Sequence, residues 1–393
     1  MERKFCGRQE SHSPEAIRAP QFSTTRLIST HSTKAKKHAS TPKYKPSKKG
    51  YPVKSIAFFN NKGGVGKTTL ACNLVSYINI HKGKRVLLVD ADPQCNATQA
   101  LLSDENCEEI YLKENSTTKT LYSYLSPFEM GEPQIQLPVE PILGTKNRYG
   151  TDLVPGHPSM SIIEDKLSDA WSAVRGRDIG GYRVTNWCHQ LLDSLSDKYD
   201  IIVFDVGPSL GALNRSIILS CDYIVTPFGC DIFSLLGIKN ISDWIKKWDA
   251  QYMSSVKDGV TENPAVFEQY TLIKDTSKKH RFLGYSVQQY VSRQFKTGPR
   301  PVKSYDEIMR RIPDTVRSAM ADLTPIGLKE EDMELGHIPY LYSLVPMAQA
   351  AKAPMHALAY GDGVVGSQYG QVKDFSTLMS DISDKLLKNL EQA

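Results

Sequence analysis

The chain has 393 residues, 40% of them hydrophobic, which is enough for one large or two ordinary domains with a sizeable core. Its seven cysteines are scattered and form no C-x-x-C pair, which argues against a disulfide framework or a zinc site and for reduced thiols in a cytosolic protein. No apolar run approaches the roughly 18 residues of a membrane-spanning helix, no signal-peptide core is visible, and the formal net charge of +5 conceals a strong asymmetry along the chain.

Residues 1–50 hold twelve Lys/Arg against three Asp/Glu, a net +9, while the remainder holds thirty-six against forty, a net −4. This first stretch is poor in large apolar residues and rich in Ser, Thr, Lys and Pro, so a disordered basic tail is expected. Three uses stay open for it: gripping nucleic acid by its phosphates, a solvated extension with no task, and an organellar transit peptide.

Residues 51–393 read as one α/β domain, because buried strands alternate with helices, the pattern of a mostly parallel twisted sheet covered on both faces. "VKSIAFF" is the first strand, and "TTLACNLVSYINI" begins a helix. Between them lies "NNKGGVGKTT". A phosphate loop reads G-x-x-x-x-G-K-[ST]; here Gly66, Lys67 and Thr68 fit its end, but Asn61 stands where the first glycine belongs. Gly63, Gly64 and Gly66 still allow the backbone to turn its N–H groups inward. Strand, glycine turn and helix aim a helix N-terminus at a phosphate. Lys67 is expected at the β and γ phosphates and the Thr68 hydroxyl at Mg²⁺. A second lysine, Lys62, sits in the same loop, and spacing alone leaves it either functional or merely solvated.

Further along, "KRVLLVDADPQ" (84–94) is a buried strand ending in Asp90 and Asp92, and "YDIIVFDVGPSLG" (199–211) is another, ending in Asp205. Strands follow at 221–229, 281–291 and 331–340. In open α/β sheets ligands gather at the carboxyl ends of strands, where the glycine loop and these aspartates fall. Residues 104–150 form a polar loop insertion with a short element. Residues 274–317 hold eleven Lys/Arg against four Asp/Glu. Lys278, Lys279, Arg281, Arg293, Lys296, Arg300 and Lys303, with Tyr285, Tyr290, Phe295 and Tyr305 interleaved, read as a nucleic-acid phosphate face or as a solvated helix face. Near the C-terminus, Phe375, Leu378, Met379, Ile382, Leu386, Leu387 and Leu390 share one helical face. Its polar face is net −2, which repels an anionic leaflet, so a helix packed on the core is expected and no membrane contact.

Taken together, "KGGVGKTT", "DADPQ", "IIVFDVGPSLG", "CDYIVTPFGCDIFSLLGIKNI" and "IPYLYSLVPMAQAAKAPMHAL" resemble the ParA/MinD group of deviant Walker P-loop ATPases, over about residues 53–358. The resemblance implies ATP and Mg²⁺ as ligands. It places Gly63, Gly64, Val65, Gly66, Lys67, Thr68 and Thr69 around the phosphates and Thr68, Asp90 and Asp205 at the metal. It gives Asp92 the attacking water and sends Lys62 across a dimer interface to the nucleotide of a partner chain. It implies an ATP-state homodimer, nonspecific DNA, a site-binding or cargo partner protein, and a cytoplasmic, nucleoid-associated location. Two departures stand out. Gly207 replaces an expected proline, and Tyr340 replaces a basic residue near the adenine. The expected role is partition of plasmid or chromosome DNA. Positioning another cargo, serving a multi-gene system such as phage defence, and a metabolic P-loop amidoligase or kinase are the alternatives. A pure DNA-binding module is disfavoured, since no helix-turn-helix precedes the loop.

Overall fold

The computed structural model describes residues 53–393, apart from 291, 296, 297 and 302, and gives no side chains for 289–304. The tail expected at 1–50 lies outside the described residues.

Seven strands form one parallel sheet: β1 (Lys54–Phe58), β2 (Val86–Asp90), β3 (Asp152–Val154), β4 (Ile201–Asp205), β5 (Tyr223–Gly229), β6 (Arg281–Tyr290) and β9 (Glu334–Pro339), in the order β3-β2-β4-β1-β5-β6-β9. Two more, β7 (Ser292–Phe295) and β8 (Gly298–Pro301), pair antiparallel as a separate ribbon beyond the end of β6. The central strands β2 and β4 are buried throughout, as near-continuous Val, Ile and Leu runs require when helices cover both faces. The two cores follow from this. One face packs Ala57, Leu87, Ile202 and Phe204 against Trp187, Ile217 and Ile241. The other packs Ile56, Leu88 and Val203 against Leu70, Leu74 and the C-terminal helix. The α/β fold read from the sequence is therefore the observed one.

Helix Lys67–His81 follows β1 directly and is buried along most of its length. Helix Gln368–Gln392 buries Phe375, Met379, Ile382, Leu386 and Leu390 against the core, using the apolar face marked in the sequence. Among the described residues no helix is long and apolar enough to cross a membrane. Residues 104–150 carry helices Asp104–Leu112 and Leu121–Leu125 and a 3₁₀ turn, Ser126–Met130. Leu121, Tyr124, Leu125 and Phe128 from this segment enter the first core.

Because the sheet is parallel, all its carboxyl ends lie on one rim. The order β2-β4-β1 sets three of them side by side. Asp90 is the register partner of Asp205, and Asp205 that of Phe58, which leads into the glycine loop. The opposite rim collects the amino ends. There Val53, Lys54, Lys278, Arg281 and the terminal Ala393 line one cavity of about 520 Å³.

Candidate functional site

A cavity of about 620 Å³ opens at the carboxyl rim. Its wall is the glycine loop, Gly63, Gly64, Val65, Gly66, Lys67, Thr68 and Thr69, and Asp92 faces them. Gly64 (φ 72°) and Gly66 (φ 76°) hold left-handed backbone, which the sequence meets with the residue that adopts it at least cost. Gly66 precedes the first turn of helix Lys67–His81, and no side chain caps that N-terminus. Its free N–H groups and dipole make this wall suited to an anion.

Lys67 is buried, and its ammonium donates to the Lys62 carbonyl at 3.3 Å. Burial lowers its pKa, opposed by the nearby carboxylates of Asp205 and Asp92. Behind the loop, Asp90 and Asp205 are fully buried. Asp90 Oδ2 accepts from the Thr98 amide and the Thr98 hydroxyl, both at 2.7 Å. Asp90 Oδ1 and both oxygens of Asp205 lack a hydrogen-bond partner of ordinary geometry. Burial, then the neighbouring Asp90, pushes Asp205 up to about 8, although the adjacent Thr68 hydroxyl favours its charged form. Burial likewise pushes Asp90 up to about 6, against the bonds from Thr98. Three buried carboxyl oxygens without a partner of ordinary geometry, beside a phosphate-type loop, suit a cation, which would favour the charged form that burial opposes. Among the described residues no three His, Cys, Asp or Glu side chains are arranged to hold a metal alone. An ion here would need phosphate oxygens as well, which fits Mg²⁺ entering with a nucleotide.

Asp92 is buried at the cavity edge, and its Oδ1 accepts from the Gln94 amide at 2.9 Å. Gly207 lies against it: a Cβ there would come within 3.2 Å of the Asp92 carboxyl carbon. Gly207 thus leaves Asp92 space that a Cβ would crowd. Lys62 is not in the cavity. Its ammonium pairs with Asp231.

Further side chains surround the cavity, Tyr340 among them. Asn73 donates to Thr69 O at 2.8 Å and accepts from Met355 N at 2.8 Å, tying the first helix to the loop over the cavity. Lys352, at φ 47°, closes that loop onto Asp104 and the Gln99 carbonyl. Tyr340 and Tyr342 pack edge to face at 4.8 Å beside a second cavity of about 340 Å³ that shares Gly66 and Thr69 with the first. The Asn73–Met355 and Lys352–Asp104 contacts join residues more than two hundred positions apart, so no short motif marks them.

The basic residues of 274–317 are spread over different elements. Lys278, Lys279 and Arg281 lie at the start of β6, whereas Arg293, Arg300 and Lys303 follow its end. Lys296 is outside the described residues. Ten residues of strand put about 30 Å between the two groups. Lys279 already pairs with Asp222 at 2.9 Å, and Arg281 donates to the carbonyls of Asp322 and Thr324. In the ribbon, Arg293 stands in register with Arg300.

The family model described as "AAA domain" matches residues 53–257. A virulence plasmid ParA family protein, pGP5-D, of Chlamydia psittaci is 31% identical over 196 residues, 49% of this chain and 63% of that protein. The chromosome-partitioning ATPase Soj of Thermus thermophilus is 32% identical over 190 residues, 48% of this chain and 60% of Soj. The match thus spans less than two-thirds of each of these relatives. Among solved structures, protein DIP2308 of Corynebacterium diphtheriae is 36% identical with a TM-score of 0.61, covering 76% of this chain and 97% of DIP2308. A Borrelia burgdorferi protein assigned to plasmid partition, solved with AMPPNP, shares the fold at 18% identity and a TM-score of 0.50, over 86% of this chain and 99% of that one.

Proposed function

The chain belongs to the ParA/MinD-type family of deviant Walker ATPases, and from that premise we propose that it is an ATP-driven dimerisation switch acting in DNA partition. Lys67 and the loop amides hold the β and γ phosphates. Thr68 and Asp205, with Asp90 behind them, would hold Mg²⁺, which supplies positive charge against the phosphate oxygens. Asp92, braced by the Gln94 amide and by Gly207, orients the attacking water. Lys62 of a second copy adds charge stabilisation to the γ-phosphoryl group, in the manner of a trans-acting finger. The closed dimer grips nonspecific DNA through basic residues and meets a site-binding partner protein. Hydrolysis releases it. The dimer works in the cytoplasm, on the nucleoid.

The observation that carries the nucleotide part of this reading is the pair of buried aspartates, Asp90 and Asp205, whose unpartnered oxygens lie beside the loop. Lys67→Ala tests it. Affinity for a labelled ATP analogue should fall at least a hundredfold in equilibrium binding, since a charge at the phosphates is lost. Unchanged affinity would remove the loop from nucleotide binding.

A further inference from the structure

Asp231 stands just ahead of helix Ile232–Glu262, and its carboxylate faces two ways. Oδ1 accepts from the backbone of Phe233 at 3.0 Å and of Ser234 at 3.1 Å, capping the helix. Oδ2 takes the Lys62 ammonium. Gly229 makes room for this, because a Cβ there would come within 2.9 Å of Oδ2. The Lys62 backbone is fixed as well: its amide donates to Asn60 Oδ1 at 2.9 Å, and Asn60 Nδ2 donates to Pro227 O at 2.7 Å. The Lys62 carbonyl in turn receives Lys67. The two lysines of the loop are therefore linked. One holds the backbone of the other, and the other is held by a carboxylate of its own chain. Directly after Asp231, Ile232, Phe233 and Leu236 are exposed at 48%, 69% and 56%, an apolar turn open to another surface.

We infer that Asp231 is a positioning residue that catches Lys62 in cis and so sets the threshold for ATP-dependent pairing of two chains. The inference rests on the reading that Lys62 acts across a dimer. A single carboxylate holds the ammonium in the lone chain. A triphosphate on a second copy carries more negative charge and displaces it. Phosphate binding also draws Lys67 off the Lys62 carbonyl, loosening the same segment. The catch thus opens against a loaded second copy, and most readily when its own chain is loaded too.

Asp231→Asn isolates the effect, since asparagine still caps the helix but carries no charge. The readout is the concentration of a non-hydrolysable ATP analogue that gives half-maximal dimer in sedimentation velocity. It should fall roughly two- to fivefold, the range of a half-exposed ion pair. Affinity of the monomer for the analogue, measured below the dimerisation concentration, should stay unchanged. The gain must need Lys62, so Lys62→Ala with Asp231→Asn should pair no better than Lys62→Ala alone. Asp231→Ser, also a helix cap, repeats the test should the asparagine variant melt early. An unaltered threshold in a folded Asp231 variant, with Lys62→Ala defective in pairing, overturns the catch alone. Normal pairing by Lys62→Ala overturns both the catch and the cross-chain reading beneath it.

Discussion

At residue 207 an added methyl group would press on the Asp92 carboxylate from 3.2 Å, closer than side chains ordinarily pack. Gly207→Ala should therefore move Asp92 without touching the phosphate loop. ATP affinity should hold while kcat falls about tenfold, because small misplacements of a positioning group are costly in rate. Steady-state kinetics with independently measured binding separate the two, and a wild-type kcat would show that Asp92 has slack. The place of Lys67, Thr68, Asp90, Asp92 and Asp205 at the carboxyl rim was legible in the sequence because each sits inside a short continuous run ending a strand or opening a helix. The bracing of Asp92 was not. Gly207 lies more than a hundred positions away, and only the adjacency of β2 and β4 brings the two together. For the same reason Asp231 read as an ordinary strand-to-helix residue. Its partner, Lys62, meets it across β1 and β5.

Helix Ala212–Ser220 has no cap of its own in sequence, since Gly211 precedes it. Glu164, from helix Met160–Arg175, supplies the cap: its carboxylate accepts from the amides of Ala212 and, at 2.9 Å, Leu213. Any Cβ at 211 would collide with that carboxylate. Arg215 on the capped helix lies over Trp171 at 4.8 Å and Trp248 at 5.3 Å, which knits three helices. Glu164→Ala should cost about 1 kcal/mol, the usual worth of a cap, and denaturant unfolding would register it as an earlier midpoint with an unchanged slope. The principal strands were readable as buried apolar runs. β3, only three residues long, was too short to show a period and fell at the edge of a segment read as insertion. The ribbon β7–β8 carries Gly298, Pro299 and Pro301, residues that argue against strand in any local reading.

On the scale of the whole molecule, Lys278, Lys279 and Arg281 begin β6, whereas the ribbon follows its end. If residues 1–50 and the ribbon grip phosphates, DNA affinity should fall steeply with salt, because each contact releases counterions. Filter binding across a salt series checks this, and a flat response would favour a protein cargo. Deleting residues 1–49 should lower the slope while leaving ATP affinity intact, since the chain enters the sheet at Val53 on the rim away from the nucleotide cavity. That placement gives the molecule a front, where the strands end at the glycine loop, and a back, where Val53, Ala393 and Lys278 meet. In the proposed dimer, two copies closing front to front would turn their backs outward. Such a dimer would be a coupling with a handle at each extreme, able to hold one segment of a long polymer at either end and let go of both when its middle opens.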